Sequence, residues 1–240
     1  MLTLEEYLAP DPMLRPAPPT PTRWTPTRAS RASRNISMRS KGSSRGSYVA
    51  DGYLVLYESK LEYWIALAYR ADPDVVDVED QPPEVFYVDD EGVRRQHTFD
   101  YRVTFRDGGR MLVAVKPSTE VASSGIARIV ELVAGQISPA VAEYVCYVTE
   151  KDLTSDEKFN AELLHGVGRK PNSKDDKVVA RLVTKLRGVT TVGALVEASG
   201  LSGHGFNAVV RAIGQGTLVL RKPCRIDYDA AVERPSRKRS

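Results

Sequence analysis

Cysteine is scarce. Cys146 and Cys224 are far apart in the 240 residues and lack the spacing of a metal-ligand pair. That excludes a cysteine-built metal site and leaves each thiol to read as buried. Histidine is almost as thin, with three in the chain. His97, the one near candidate chemistry, has no second ligand beside it, so it reads as structural or as a contact to a phosphate or water. Long apolar runs are missing too: none approaches membrane-spanning length, and the first residues lack the apolar core of a signal peptide. The expectation is a cytoplasmic, nucleoid-associated protein with no membrane partner.

What is present is a folded composition with an uneven charge. Hydrophobic residues make up 42% and charged residues 27%, enough for one sizeable core or two modest ones. The net charge is only +3, but residues 11 to 47 hold eight Arg or Lys against the single acid Asp11, together with six prolines. This segment reads as a flexible arm without a core of its own. It is either a solvated leader or a DNA-phosphate arm, with Arg34, Arg39, Lys41 and Arg45 nearest the rest of the chain. From Ala71 to Glu91 the balance inverts to nine acids and no Lys or Arg, most of it a solvated connector.

The chain is organised around Glu58 to Lys116. In YESKLEYWIALAY, Leu61, Trp64, Ile65 and Ala68 recur at helical spacing and mark a buried face. Glu62 lies at its border, with Glu58 one turn earlier on the same side. VVDVED reads as a strand ending at Gln81, which Pro82 and Pro83 follow and which is a candidate contact to the site. VFYVDDEGVRRQHTF reads as two strands around an Asp90-Glu91-Gly92 turn. HTFDYRVTFRDGG and RMLVAVKP form a hairpin, with Asp100 at one strand start and Lys116 at the other strand's end. If Asp107 to Gly109 form a three-residue loop, Asp100 falls opposite Lys116 on one sheet face; a two-residue loop puts them on opposite faces.

Two carboxylates and a lysine on one face suit the cutting of a phosphodiester. A hard cation such as Mg²⁺ prefers carboxylate and carbonyl oxygens, here Glu62, Asp100 and the carbonyl of Val115. An ammonium at Lys116 orients the attacking water or offsets developing charge.

The blocks ESKLE, DVEDQP, HTFD and VAVKP, with RSKGSSRG ahead of them, resemble the TnsA family in order, over roughly residues 34 to 165. That family is the endonuclease subunit of heteromeric bacterial transposases and has the restriction-endonuclease-like PD-(D/E)xK fold. The resemblance implies metal-dependent cleavage of double-stranded DNA at transposon ends, with Mg²⁺, or Mn²⁺ as its substitute. It matches Glu62, Asp100 and Lys116 to the catalytic acids and lysine. It also implies a DDE-type transposase as partner, with an ATP-dependent transposition regulator besides. One position departs: where the family carries Glu or Gln two residues before the lysine, this chain has Ala114, which offers no side-chain oxygen.

The remaining chain completes an α/β layout. IARIVELVAG reads as a helix within Ser118 to Gln136, AEYVCYVT as a strand, and Thr149 to Gly168 as a polar bridge with a helical FNAELLHG. DDKVVARLVTKLRG, TTVGALVEASG and SGHGFNAVVRAIGQG read as three helices, and TLVLRKPCRIDYD as a two-stranded wing. In this winged helix-turn-helix reading the third helix presents Ser202, His204, Asn207 and Arg211, to DNA or to a protein partner. The division is a basic arm over 1–47, a nuclease domain over 48–150, a bridge over 151–172, a winged-helix domain over 173–233 and a basic tail over 234–240. The expected fold is therefore a restriction-endonuclease-like mixed sheet flanked by helices, followed by a small winged-helix domain. Two alternatives stay open: a catalytically weakened DNA-binding or assembly subunit, and a transcriptional regulator acting through the last module.

Overall fold

Asp51 and Gly52 both have positive φ, 51° and 77°, which matches the twist of a tight hairpin turn. They join β1 (Gly46–Ala50) to β2 (Tyr53–Tyr57) in an antiparallel ribbon. This computed structural model describes residues 26–33 and 44–235. The expected contacts at Arg34, Arg39 and Lys41 and most of the basic tail lie outside the described residues.

Ser59 caps helix α1 (Lys60–Ala71). Its deepest residues are Glu62, Ile65, Ala66 and Leu67, whereas Leu61, Trp64 and Ala68 of the expected stripe are half-buried. The helix is covered from two sides, by β3 (Val75–Asp80) and by a later helix, so its buried surface is broader than one stripe. Next comes a separate hairpin of β4 (Val85–Val88) and β5 (Arg94–His97), then β6 (Tyr101–Phe105) and β7 (Arg110–Val115).

The expected IARIVELVAG helix forms as α3 (Ile126–Ala134), preceded by a short helix α2 (Val121–Ser124) that Gly125, left-handed at φ 65°, separates from it. β8 (Tyr144–Val148) then runs parallel to β7, giving the sheet order β3-β6-β7-β8. Leu112 to Val115 are buried on both faces, as in an inner strand with cover on each side. Tyr101, Val103, Val113 and Val115 pack with Ile65 and Leu67, while Leu112 and Ala114 pack with Phe99 and Ile126.

The segment read as a bridge forms α4 (Ser155–Gly168), opened by a Thr154–Glu157 capping box. It packs against α1, where Glu162 accepts Trp64 Nε1 at 2.9 Å, and against the last long helix of the chain. α5 (Ser173–Lys185), β9 (Val189–Thr191), α6 (Val192–Ser199), α7 (Gly203–Gly214), β10 (Val219–Leu220) and β11 (Ala231–Glu233) form a second core around Val179, Val209, Leu218 and Val232. The small sheet has the order β10-β11-β9. The expected two strands within TLVLRKPCRIDYD are corrected: the partner of β10 lies just past that stretch. The reason is Asn160 on α4, which donates to Cys224 O and accepts the Ile226 N–H, both at 2.8 Å. Those backbone groups are therefore tied to a side chain instead of a ladder.

Two further expectations change. Residues 26–33 of the basic segment are docked on the core: Leu54 N–H donates to Arg28 O at 2.9 Å, and Arg31 makes a two-pronged pair with Asp77 at 2.8 and 2.7 Å. Cys146 and Cys224 are both half-buried free thiols. The chain is a mixed α/β protein. Among the described residues no helix is long and apolar enough to cross a membrane.

Candidate active site

The hairpin register sets the geometry. Tyr101 pairs with Val113 and Thr104 with Arg110, and Phe105 N–H donates to Gly109 O at 2.8 Å. The loop is thus Arg106 to Gly108, one residue earlier than the expected Asp107 to Gly109. This corrects the pairing by two positions, and at the strand start the ladder slips: Asp100 N–H donates to Val113 O at 3.0 Å although Val113 is paired with Tyr101, so Asp100 stands as an extra residue outside the expected pairing with Lys116. The Asp100 carboxylate reaches across and accepts the Val115 N–H at 2.7 Å. A residue's N–H and C=O leave a strand on the same edge, so the Val115 carbonyl opens toward the Asp100 side.

Glu62 is the third position of a helix whose N-cap is Ser59, and it is only 9% exposed. Its Oε2 accepts the Glu58 N–H at 2.7 Å and its Oε1 accepts the Ser59 hydroxyl at 2.8 Å. Each oxygen keeps a lone pair for a further partner. Burial raises the carboxyl above its ordinary value, and the nearby Glu58 charge adds to this. The two hydrogen bonds and the Lys116 ammonium pull it back.

Lys116, half-buried, is anchored by its N–H to Val148 O at 3.0 Å. Its ammonium is near enough to act on both Glu62 and His97. The His97 imidazole is held below its usual value by burial first and by Lys116 second. His97 stands edge-on to Phe99, ring centroids 4.8 Å apart. Tyr101 lies between the acids: its hydroxyl donates to Glu62 O at 3.2 Å. Burial, then Tyr48, Glu62, Asp100 and Asp80, push this phenol well up. The Lys116 charge thus acts on Glu62, and the Asp100 carboxylate is bonded to the backbone of the residue before Lys116.

Gln81 sits on the other flank of Asp100. Asp80 pairs with Tyr101, and one step on the Gln81 N–H donates to Asp100 O at 2.8 Å. Gln81 is 2% exposed and has φ 41°, rare for a residue with a side chain. Ser33 N–H holds its carbonyl at 2.8 Å, and Ser33 Oγ donates to Pro82 O at 3.1 Å. Its Oε1 is buried and accepts no hydrogen bond from any described residue.

Ser59 and Tyr101 were not picked out from the sequence. Ser59 had a signal, the S-x-x-E box with Glu62. Tyr101 had none beyond alternation.

The expected DNA contacts divide. Ser202, His204 and Asn207 are exposed around the start of α7. Arg211 is turned inward, 8% exposed, with Nε on Asp176 at 2.7 Å and Nη1 on Lys170 O at 3.2 Å. This corrects its reading as a DNA contact: the arginine of α7 is committed to joining α7 to α5. Arg45 is half-buried at the foot of β1, and its Nε and Nη1 donate to no described residue.

A cleft of about 610 Å³ opens beside Asp51, Arg70 and His165, and one of about 390 Å³ beside Thr184 and Arg234. Neither is lined by Glu62, Asp100 or Lys116. Among the described residues no three or more His, Cys, Asp or Glu are grouped to hold a metal ion. Set beside known proteins, the chain is matched by no family model and by no curated protein.

Proposed function

We propose that this chain is a metal-dependent DNA endonuclease acting at the ends of a mobile element, as one subunit of a heteromeric transposase. The observation that carries the reading is the Asp100 carboxylate on the Val115 N–H at 2.7 Å, which ties the acid to the strand end bearing Lys116. The burial of Glu62, whose carboxyl the Lys116 charge lowers, supports it. The four-stranded mixed sheet with helices on its faces supports a restriction-endonuclease-like core. The order α5, β9, α6, α7, β10, β11 supports a winged-helix module behind it.

The donor set fits a hard cation, because Glu62, Asp100 and the Val115 carbonyl are all oxygen ligands. Glu62, Asp100 and the Val115 carbonyl would hold the cation, which would supply polarisation of the phosphodiester and easier ionisation of the attacking water. Glu62 is kept in place by its helix cap and Asp100 by the strand amide, so neither must reorganise when DNA arrives. Lys116 presents its ammonium to the negative charge that builds on the phosphate oxygens. Ser202, His204 and Asn207 lack a cation among them, which favours docking to a protein partner such as the transposase over a strong phosphate grip.

A second reading is favoured by one residue. Ala114 brings no oxygen to the site, so the chain would serve as an assembly subunit while its partner cuts. Nicking of supercoiled plasmid by the full chain, alone and with its partner transposase, separates the two. Loss of one strand's cleavage in Glu62→Gln and Lys116→Ala is expected from the nuclease; unchanged cleavage of both strands by the partner mixture supports the assembly role.

A further inference from the structure

Asp100 is bonded through its backbone to both neighbouring strands: its N–H donates to Val113 O at 3.0 Å, and its carbonyl accepts the Gln81 N–H at 2.8 Å. On the β7 side, the position two before Lys116 brings only the Ala114 methyl group, 1% exposed and packed with Leu112 and Phe99. On the β3 side stands a carboxamide.

Three observations about Gln81 need a common cause. Its backbone is left-handed, a conformation that costs on the order of 1–3 kcal/mol for a residue with a Cβ. It is held there from both sides, by Asp100 O on its N–H and by Ser33 N–H on its carbonyl. Its side chain is almost wholly buried, yet Oε1 accepts nothing from the described residues, although a buried acceptor normally finds a donor. A buried amide of purely structural use would be expected to satisfy both ends. An oxygen kept dry, on a residue strained into place and bonded through its backbone to Asp100, suits a cation ligand, since a neutral carbonyl-type oxygen completes a carboxylate set for Mg²⁺ or Mn²⁺.

We infer that Gln81 supplies the side-chain oxygen that position 114 lacks: Oε1 of Gln81 is a ligand of the divalent cation held by Asp100. The inference rests on the nuclease reading above and names a ligand from a different strand. The site is then complete with Glu62, Asp100 and Gln81, and Ala114 is a relocation of a ligand instead of its loss.

Mn²⁺ binding to the full chain, followed by the loss of the free-ion electron paramagnetic resonance signal, tests this without any turnover. Asn adopts left-handed backbone readily, so Gln81→Asn keeps the turn while withdrawing the oxygen by one methylene. It is expected to weaken Mn²⁺ binding at least about tenfold with an unchanged far-UV circular dichroism spectrum. Gln81→Glu puts a charged oxygen at the original reach and is expected to tighten binding, which settles the matter should Gln81→Asn fail to fold. Wild-type affinity in Gln81→Asn, or no tightening in Gln81→Glu, overturns the assignment. Asp100→Asn separates the two claims: if it abolishes Mn²⁺ binding while Gln81→Asn does not, only the Gln81 role falls. If the wild type binds no Mn²⁺, or Asp100→Asn binds it as the wild type does, the metal site itself falls.

Discussion

Ser59 and Glu62 hold each other. The serine hydroxyl accepts the Glu62 N–H at 3.1 Å and donates to its carboxylate at 2.8 Å. One short contact thus starts the helix and aims the buried acid. Ser59→Ala removes both bonds. It is expected to lower stability by about 1 kcal/mol and cation-dependent nicking by roughly 10-fold. Urea unfolding and plasmid nicking read the two effects separately.

Glu62 also sets a pH dependence. Its carboxyl is raised by burial above the ordinary 4.5, so between that value and the folded one the native chain binds more protons than the unfolded chain. Stability contributed by this group therefore falls as pH rises through the interval. Glu62→Gln can keep both contacts, with its oxygen on the Glu58 N–H and its amide on Ser59. The variant is expected to melt higher than wild type near neutral pH, with the gap closing below about pH 4.5. Melting curves of both proteins across pH, without added metal, check this; a gap that widens in acid contradicts it.

Arg211 separates folding from recognition. Its ion pair with Asp176 and its bond to Lys170 O are at least partly buried, so Arg211→Ala is expected to cost about 2–3 kcal/mol. His204→Ala with Asn207→Ala, both exposed, should stay within about 0.5 kcal/mol of wild type. If α7 is a docking face, the double variant and not Arg211→Ala loses partner affinity at a temperature where both are folded. Denaturant melts and a pull-down with the transposase decide it.

Position 114 resists repair. Ala114 is 1% exposed among Leu112, Phe99 and Ile126, and a longer side chain there must displace packed neighbours. Ala114→Gln is expected to destabilise by about 1–3 kcal/mol, seen as a lower urea midpoint at unchanged slope.

The α/β layout and the strands around the site were legible because the patterns were strong. VVDVED, YRVTF and RMLVAV alternate or run apolar between turn residues, and each folds as a strand. The hairpin register was not, since RDGG admits loops beginning at Arg106 or Asp107 and nothing local chooses between them. Arg211 misled because a lone cation on a presumed recognition helix carries no mark of the Asp176 that meets it 35 residues away. The docking of Arg28 and Arg31 was hidden for the same reason: their partners, Tyr53 and Asp77, are distant in sequence. Gln81 could be suspected from the Pro-Pro that follows it, but its strain and its unmatched oxygen exist only in the fold.

The central claim is that Asp100 holds the cation that cuts DNA. The direct measurement is nicking of supercoiled plasmid in Mg²⁺ or Mn²⁺ by the full chain with the proposed partner transposase, comparing wild type with Asp100→Ala. Loss of one strand's cleavage in Asp100→Ala by at least about 100-fold, with the other strand still cut, is the predicted result. Equal cleavage of both strands by wild type and Asp100→Ala would contradict it.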